Sequence, residues 1–223
     1  ELENECVKTI QNINNFFTEQ YKNNKDKMTP LKKHIFRAFK LTSLDGMKVL
    51  VLGQDPYHNI DKDGKRQAVG LSFSIPKHMK IPSSLKNIYK NIESDLKLKM
   101  PDHGCLKSWS KQGVLLLNSS LTTQLHNPNK HQKIWSPFTD FIISWINKNK
   151  PDTIFMLWGA FALKKKSLMQ NVPNENILIS SHPSGFSCNK QLQNYSSFRY
   201  NQHFRICNIL LKKKSNKEIQ WSS

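Results

Sequence analysis

Asp55, Tyr57 and His58 stand in the hexapeptide Gly53-Gln54-Asp55-Pro56-Tyr57-His58, directly after the apolar run Val49-Leu50-Val51-Leu52. A short run of this kind, rich in β-branched residues, reads as a buried parallel strand. Gly53 ends it, and Pro56 excludes the α-conformation at Asp55. A carboxylate, a phenol and an imidazole are thereby presented on a stiff turn at the carboxyl end of a strand, where open α/β sheets bind their ligands. Three further runs end comparably: Val114–Leu117 is followed by Asn118, Thr153–Trp158 by Gly159 and Ile177–Ser180 by His182. An aspartate and a histidine suit acid–base or electrostatic work. A side-chain amide offers donor and acceptor together, and so matches the carbonyl and N–H edge of a pyrimidine. Phe73, in Gly70-Leu71-Ser72-Phe73-Ser74, lies where a ring could support a base, although taken alone it reads as core. No G-x-S-x-G elbow, P-loop or dinucleotide fingerprint occurs. Neither the histidines nor Cys6, Cys105, Cys188 and Cys207 have metal-ligand spacing, so no metal site is expected.

The elements that must position these groups are four parallel strands separated by sequence of helical character. The fold class expected is therefore α/β, with helices on both faces of a central sheet. The N-terminal stretch carries Cys6, Ile10, Ile13 and Phe17 at helical spacing. Ser136 is expected to cap a helix with Pro137 in its first position. The core stripe expected there is Phe138, Phe141, Ile142, Trp145 and Ile146, with Pro151 as the stop. The charged tail from Lys212–Lys214 onward is expected to fray. No repeat or linker divides the 223 residues, so one domain, 1–223, is expected.

Thirty-four Lys and Arg against sixteen Asp and Glu give a net charge of +18, which favours polyanions such as nucleic acid. The same lysines also suit plain solvated faces. No apolar stretch approaches the roughly 18 residues of a membrane span, and the cysteines read as reduced, intracellular thiols. The sequence starts at Glu1 without methionine, as a processed or trimmed chain would, and a targeting segment upstream would be invisible.

Gly53–His58, Gly70–Ser74, Leu115–Thr122 and His182–Ser184 together resemble the family-1 uracil-DNA glycosylases, with the motifs in the same order over roughly Leu31 to Trp221. The resemblance implies a three-layer α/β/α domain with a four-stranded parallel sheet, acting as a monomer without metal or cofactor. It implies hydrolysis of the N-glycosidic bond of a uracil nucleotide flipped out of DNA. Asp55 would position water and stabilise positive charge on the sugar, and His182 would donate to uracil O2. Asn118 would read O4 and N3–H, Phe73 would stack on the base, and Tyr57 would stand against C5. Gln54 would line the pocket through its backbone, and His58 would support the water-holding loop, although His58 reads equally well as structural.

The implied partner is uracil-containing DNA, single- or double-stranded, in an intracellular DNA-containing compartment; a protein inhibitor or replication partner leaves no recognisable mark. DNA would be gripped by Pro82-Ser83-Ser84, Gly159-Ala160 and Pro183-Ser184-Gly185-Phe186-Ser187. Such loops lead into helix N-termini, which suit phosphate. Ser83 or Ser84 would also serve as N-cap of a helix through Ile88 and Ile92. Ser83 stands where the family commonly has proline, Ala160 where it has serine, and Gly185-Phe186 where it has Pro-Leu. Phe186 would replace the leucine that fills the place of the flipped base. The segment 188–199 is longer than the family's, and its Lys190 and Arg199 would enlarge the DNA-contacting rim. Two other readings stay open: a quiet DNA-binding module, disfavoured by the Asp55, Asn118 and His182 set, and a base excisor of altered specificity, disfavoured by Tyr57.

Overall fold

Four runs with no polar residue in alternate positions pair as one parallel sheet, because side chains buried on both faces leave no reason for alternation. The computed structural model describes residues 2–222; the side chains of residues 2–6 and 21, Cys6 among them, lie outside the described part. The strands are β2 (Val49–Gly53), β3 (Val114–Asn118), β5 (Ile154–Trp158) and β6 (Ile177–Ser180), in the order β3-β2-β5-β6. All of their residues are buried. Two dipeptides, β1 (Met28–Thr29) and β4 (Thr123–Gln124), add a small antiparallel ladder too short to show in the sequence pattern.

Helices α1 (Leu2–Asn23), α2 (Arg37–Leu41), α3 (Ser83–Leu96), α4 (Lys107–Lys111), α5 (Gln132–Asn149), α6 (Ala160–Lys164) and α7 (His203–Lys213) complete the three layers. Helix α1 packs on α5, and α3 on α7. Four tryptophans, Trp109, Trp135, Trp158 and Trp221, are fully enclosed in the core. No described helix is long and apolar enough to cross a membrane.

Five local expectations are corrected. Helix α5 begins at Gln132 and not at Ser136, so Pro137 lies inside it. Tertiary packing extends the helix backward. Trp135 is buried against the rings of Phe17, Phe36 and Phe138 and donates through Nε1 to Thr122 Oγ1 at 2.8 Å. The proline ring is exposed, and the missing N–H removes a single bond in the second turn. The buried stripe is consequently Trp135, Thr139, Ile143 and Ile146; of the expected stripe Ile146 is buried and Phe138 and Ile142 pack half-buried on the core, while Trp145 is 37% exposed. In α1, Ile13 is buried and Phe17 packs on the core, but Ile10 faces solvent.

The tail does not fray. Ile219 and Trp221 are buried, Trp221 against Trp109 and Phe204 at 5.0 Å each, because two apolar anchors outweigh the charged residues between them. Trp109 Nε1 donates to the Trp221 carbonyl at 3.0 Å, and the Ile219 N–H donates to Asn208 Oδ1 at 3.0 Å. Pro82, not a serine, caps α3; Ser83 and Ser84 are its first two residues and make no side-chain cap.

Cys188 and Cys207 are buried free thiols and Cys105 is a half-buried one, in keeping with packing roles. Burial also holds several imidazoles neutral. His203 is pushed down to about 3, where it accepts from Trp158 Nε1 at 3.1 Å. His131 is pushed down to about 4 by burial and then by Lys130, and His34 to about 4 by burial and then by Arg37 and Lys33. The unfolded chain protonates these groups near pH 6.5 and the fold does not, so stability is full above about 6.5 and is lost as pH falls toward about 3. His203 alone gives a slope of about 1.4 kcal/mol per pH unit in that window. Thermal unfolding followed by circular dichroism should show the midpoint falling steadily from pH 7 to 4, and a flat midpoint would contradict these assignments.

Candidate active site

The β2–β3 register sets Gly53 directly opposite Asn118. A side chain at Gly53 would collide with Asn118 Oδ1 and with Ser72 Cβ, so the glycine makes room for the amide. Loop 70–74 is laced onto the same strands: the Ser72 N–H donates to Leu116 O at 3.0 Å and its hydroxyl to Val51 O at 3.3 Å. Phe73 is thereby held at φ 60°, a region costly for a ring-bearing residue. Its ring lies 5.5 Å from that of Trp158 and 6.1 Å from that of His182. The expected residues Gln54, Asp55, Tyr57, His58, Phe73, Asn118 and His182 all line one cavity of about 220 Å³, with Ser84 and Pro128.

Asp55 meets two opposed influences. Burial raises its carboxyl pKa, while the Asn129 N–H at 2.7 Å and the nearby His58 lower it, and burial dominates. Asn129 was not legible as a site residue, although the turn signal Asn127-Pro128-Asn129 marks its loop. It sits at φ 62° and accepts from Gln54 Nε2 at 2.8 Å through Oδ1. One left-handed residue thus clamps both neighbours in the hexapeptide. Gln54 also accepts the Ser120 N–H at 2.9 Å on its carbonyl.

His182 accepts the Ser184 N–H on Nδ1 at 3.0 Å, and burial pushes its pKa down. A neutral ring that accepts at Nδ1 carries its proton on Nε2, and is therefore a donor there. Gly159 backs the ring: at φ 96° its added Cβ would lie 2.9 Å from His182 Cβ. Tyr57 donates its hydroxyl to Phe73 O at 3.5 Å, and burial pushes its pKa up. The His58 carbonyl accepts the His126 N–H at 2.8 Å, while its buried Nδ1 has no hydrogen-bond partner among the described residues.

The expected rim residues differ in exposure, and of them Ser84 lines this cavity. Pro82 is half-buried and Ser83 exposed. Gly159 is buried and Ala160 exposed at the start of α6. Phe186 projects with 89% exposure from a turn in which the Ser187 and Cys188 N–H groups donate to Ser184 O. Asn87, one turn into α3, donates to the buried Pro183's carbonyl at 2.8 Å and so anchors the turn. Nothing stands within 4 Å of a Cβ built on Gly185. Lys190 and Arg199 are exposed on the 188–199 loop, which closes where the Arg199 N–H donates to Cys188 O at 2.8 Å.

A broader depression of about 810 Å³ lies at the opposite, amino edge of the strands, beside Lys48, Lys111 and Gly113. Lys48 Nζ there donates to the Lys217 carbonyl at 3.1 Å, and no carboxylate–imidazole pair faces it. Among the described residues no group of three or more His, Cys, Asp or Glu is placed to hold a metal ion.

The family model described as "Uracil DNA glycosylase superfamily" matches residues 39–212. A uracil-DNA glycosylase of Francisella philomiragia is 46% identical over 194 residues, covering 86% of this chain and 84% of that protein. One from Francisella tularensis subsp. novicida is 46% identical over 195 residues, covering 86% and 83%. The crystal structure of mimivirus uracil-DNA glycosylase superposes with a TM-score of 0.84 at 32% identity, over 99% of this chain and 89% of that one. A variant of the mimivirus protein in complex with UGI superposes with a TM-score of 0.84 at 35% identity, over 91% and 79%.

Proposed function

The chain belongs to the uracil-DNA glycosylase superfamily and is a DNA-repair hydrolase that excises uracil from DNA, and we propose that it does so by the family-1 route, with Asp55 and His182 as its catalytic residues. The observation that carries this reading is the convergence of Asp55, Phe73, Asn118 and His182 on one cavity of about 220 Å³. Uracil enters flipped out of the stack and lies on the Phe73 ring. Asn118, whose orientation Gly53 leaves free to press against the strand, accepts from N3–H and donates to O4. Cytosine reverses that donor and acceptor pattern and is refused.

As the bond between C1′ and N1 breaks, positive charge grows on the sugar and negative charge on the base. The Asp55 carboxylate opposes the first, holds the water whose oxygen forms the new bond to C1′ and takes up the proton that this water sheds, which balances the departing uracil anion. The Nε2–H of neutral His182 opposes the second by donating to O2, and the electron pair of the broken bond leaves with uracil. A fixed donor at a developing oxyanion is often worth about 3 kcal/mol. Family-1 membership, monomeric action on single- or double-stranded DNA as one domain, and an intracellular DNA-containing compartment are parts of the same proposal.

Release of free uracil from a single-stranded oligonucleotide with one deoxyuridine, in EDTA and with a thymine-only control, tests it. Release from the first substrate alone supports the proposal. No release favours a quiet DNA-binding module. Tyr57 supplies a second check. Its ring is fixed by the hydroxyl bond to Phe73 O, and Tyr57→Ala should open the space at C5 and admit thymine. Thymine release should rise from undetectable to measurable, at some loss of uracil rate; a variant that still ignores thymine would place the methyl gate elsewhere.

A further inference from the structure

Tyr200 is 78% exposed, and apart from Phe186 at 89% no other exposed large hydrophobic side chain among the described residues passes 53%. Its backbone is nevertheless fixed. It closes a 3₁₀ turn, Phe198–Tyr200, in which Phe198 is fully buried. Asn91 Nδ2 is shared by the carbonyls of Phe198 at 2.8 Å, Arg199 at 3.3 Å and Asn201 at 3.1 Å. The Arg199 N–H also ties the turn to Cys188 O, two residues beyond the Phe186 tip. A ring held in solvent on a rigid backbone has no packing role to explain it, and rigid amphipathic rings are the usual platforms for nucleobases.

We propose that Tyr200 is a second base-stacking site, outside the uracil cavity, for a nucleotide of the single-stranded segment flanking the lesion. The inference rests on the uracil-excision reading above. Position supports it. Along α3, Ser84 borders the cavity, Asn87 holds the Phe186 turn and Asn91 holds the Tyr200 turn. Ser84 to Asn91 is about 10 Å at ~1.5 Å per residue, the length of roughly three nucleotide steps at ~3.4 Å each. The exposed Arg199, next to Tyr200 in the chain, and Lys190 on the same loop supply positive charge for the intervening phosphates.

The test compares wild type, Tyr200→Ala and Tyr200→Phe on two single-stranded deoxyuridine substrates. One carries about ten nucleotides on each side of the lesion, enough to pass the roughly three-step span, and the other carries a single nucleotide on each side. Tyr200→Ala should raise KM on the long substrate by about fivefold or more, the lower end of what a stacked base is worth. It should leave kcat unchanged, leave the short substrate unaffected and keep the melting temperature. Tyr200→Phe should match wild type. An unchanged KM on the long substrate, an equal loss on both substrates, or a Phe variant as weak as Ala would each overturn the stacking site. Wild-type release from the short substrate verifies the uracil reading separately, and its absence there and on the long substrate would sink that reading instead.

Discussion

Asp55→Asn should lower the rate of uracil release by about 10³ or more, an increase of at least about 4 kcal/mol in the barrier, while binding to uracil-containing DNA persists. The substitution keeps the shape of the side chain, and its oxygen still accepts the Asn129 N–H. What disappears is the negative charge facing the sugar at the moment positive charge develops there, and charge opposed in a low-dielectric site is worth far more than in bulk water. The pH profile gives an independent sign. Burial raises the Asp55 pKa, so the wild-type rate should fall on the acid side as pH drops through that raised value and the carboxylate takes up a proton. Asp55→Asn should lose that acid limb along with the rate. Single-turnover release across pH, with a mobility-shift assay for binding, measures both, and a variant near the wild-type rate would remove Asp55 from the chemistry.

His182→Ala should cost about 10²–10³ in kcat, the usual loss for one donor to a developing oxyanion. The pH dependence separates two kinds of donor. A histidine acting as an imidazolium would lose activity as pH rises through its pKa. Burial lowers the His182 pKa and the Ser184 N–H occupies Nδ1, both of which favour the neutral ring. The His182-dependent part of the rate should therefore stay level as pH rises through about 6.5. A loss of rate centred there, absent from His182→Ala, would contradict the neutral-donor assignment.

The sheet and the cavity were legible for one reason. Strands buried on both faces write themselves as unbroken apolar runs, and a parallel sheet must bring the residues after those runs to one edge. The four strand positions shift from expectation by a residue at most; Thr153 lies just before the strand it was expected to begin. Signals overruled by distant packing were not legible. Ser136-Pro137 carries a proper helix-start signature, but Trp135 is worth more inside the core than the hydrogen bond Pro137 forfeits. Ile219 and Trp221 are isolated among polar residues, so no periodicity announces their burial against Trp109 and Phe204. Asn129 acts on Asp55 through its backbone N–H, a group that nearly every residue type carries, so its identity does not display that role. Tyr200 looks like any loop tyrosine until its exposure is set against the fixed backbone beneath it.

The pairing of Gly53 with Asn118 also constrains how such a protein could change over generations. The volume that any side chain at position 53 would need is already taken by the Asn118 amide. Variation at 53 is therefore closed while 118 keeps its size, and opens only after 118 has shrunk and Ser72, whose Cβ would lie 2.8 Å away, has also given way. A smaller residue at 118 forfeits the amide that, in the proposed reading, distinguishes uracil from cytosine, so the first step of that route is penalised before the second can compensate. Fidelity in choosing the base is thus protected by mutational order as well as by chemistry: the gatekeeper sits in a socket whose far wall is a missing side chain.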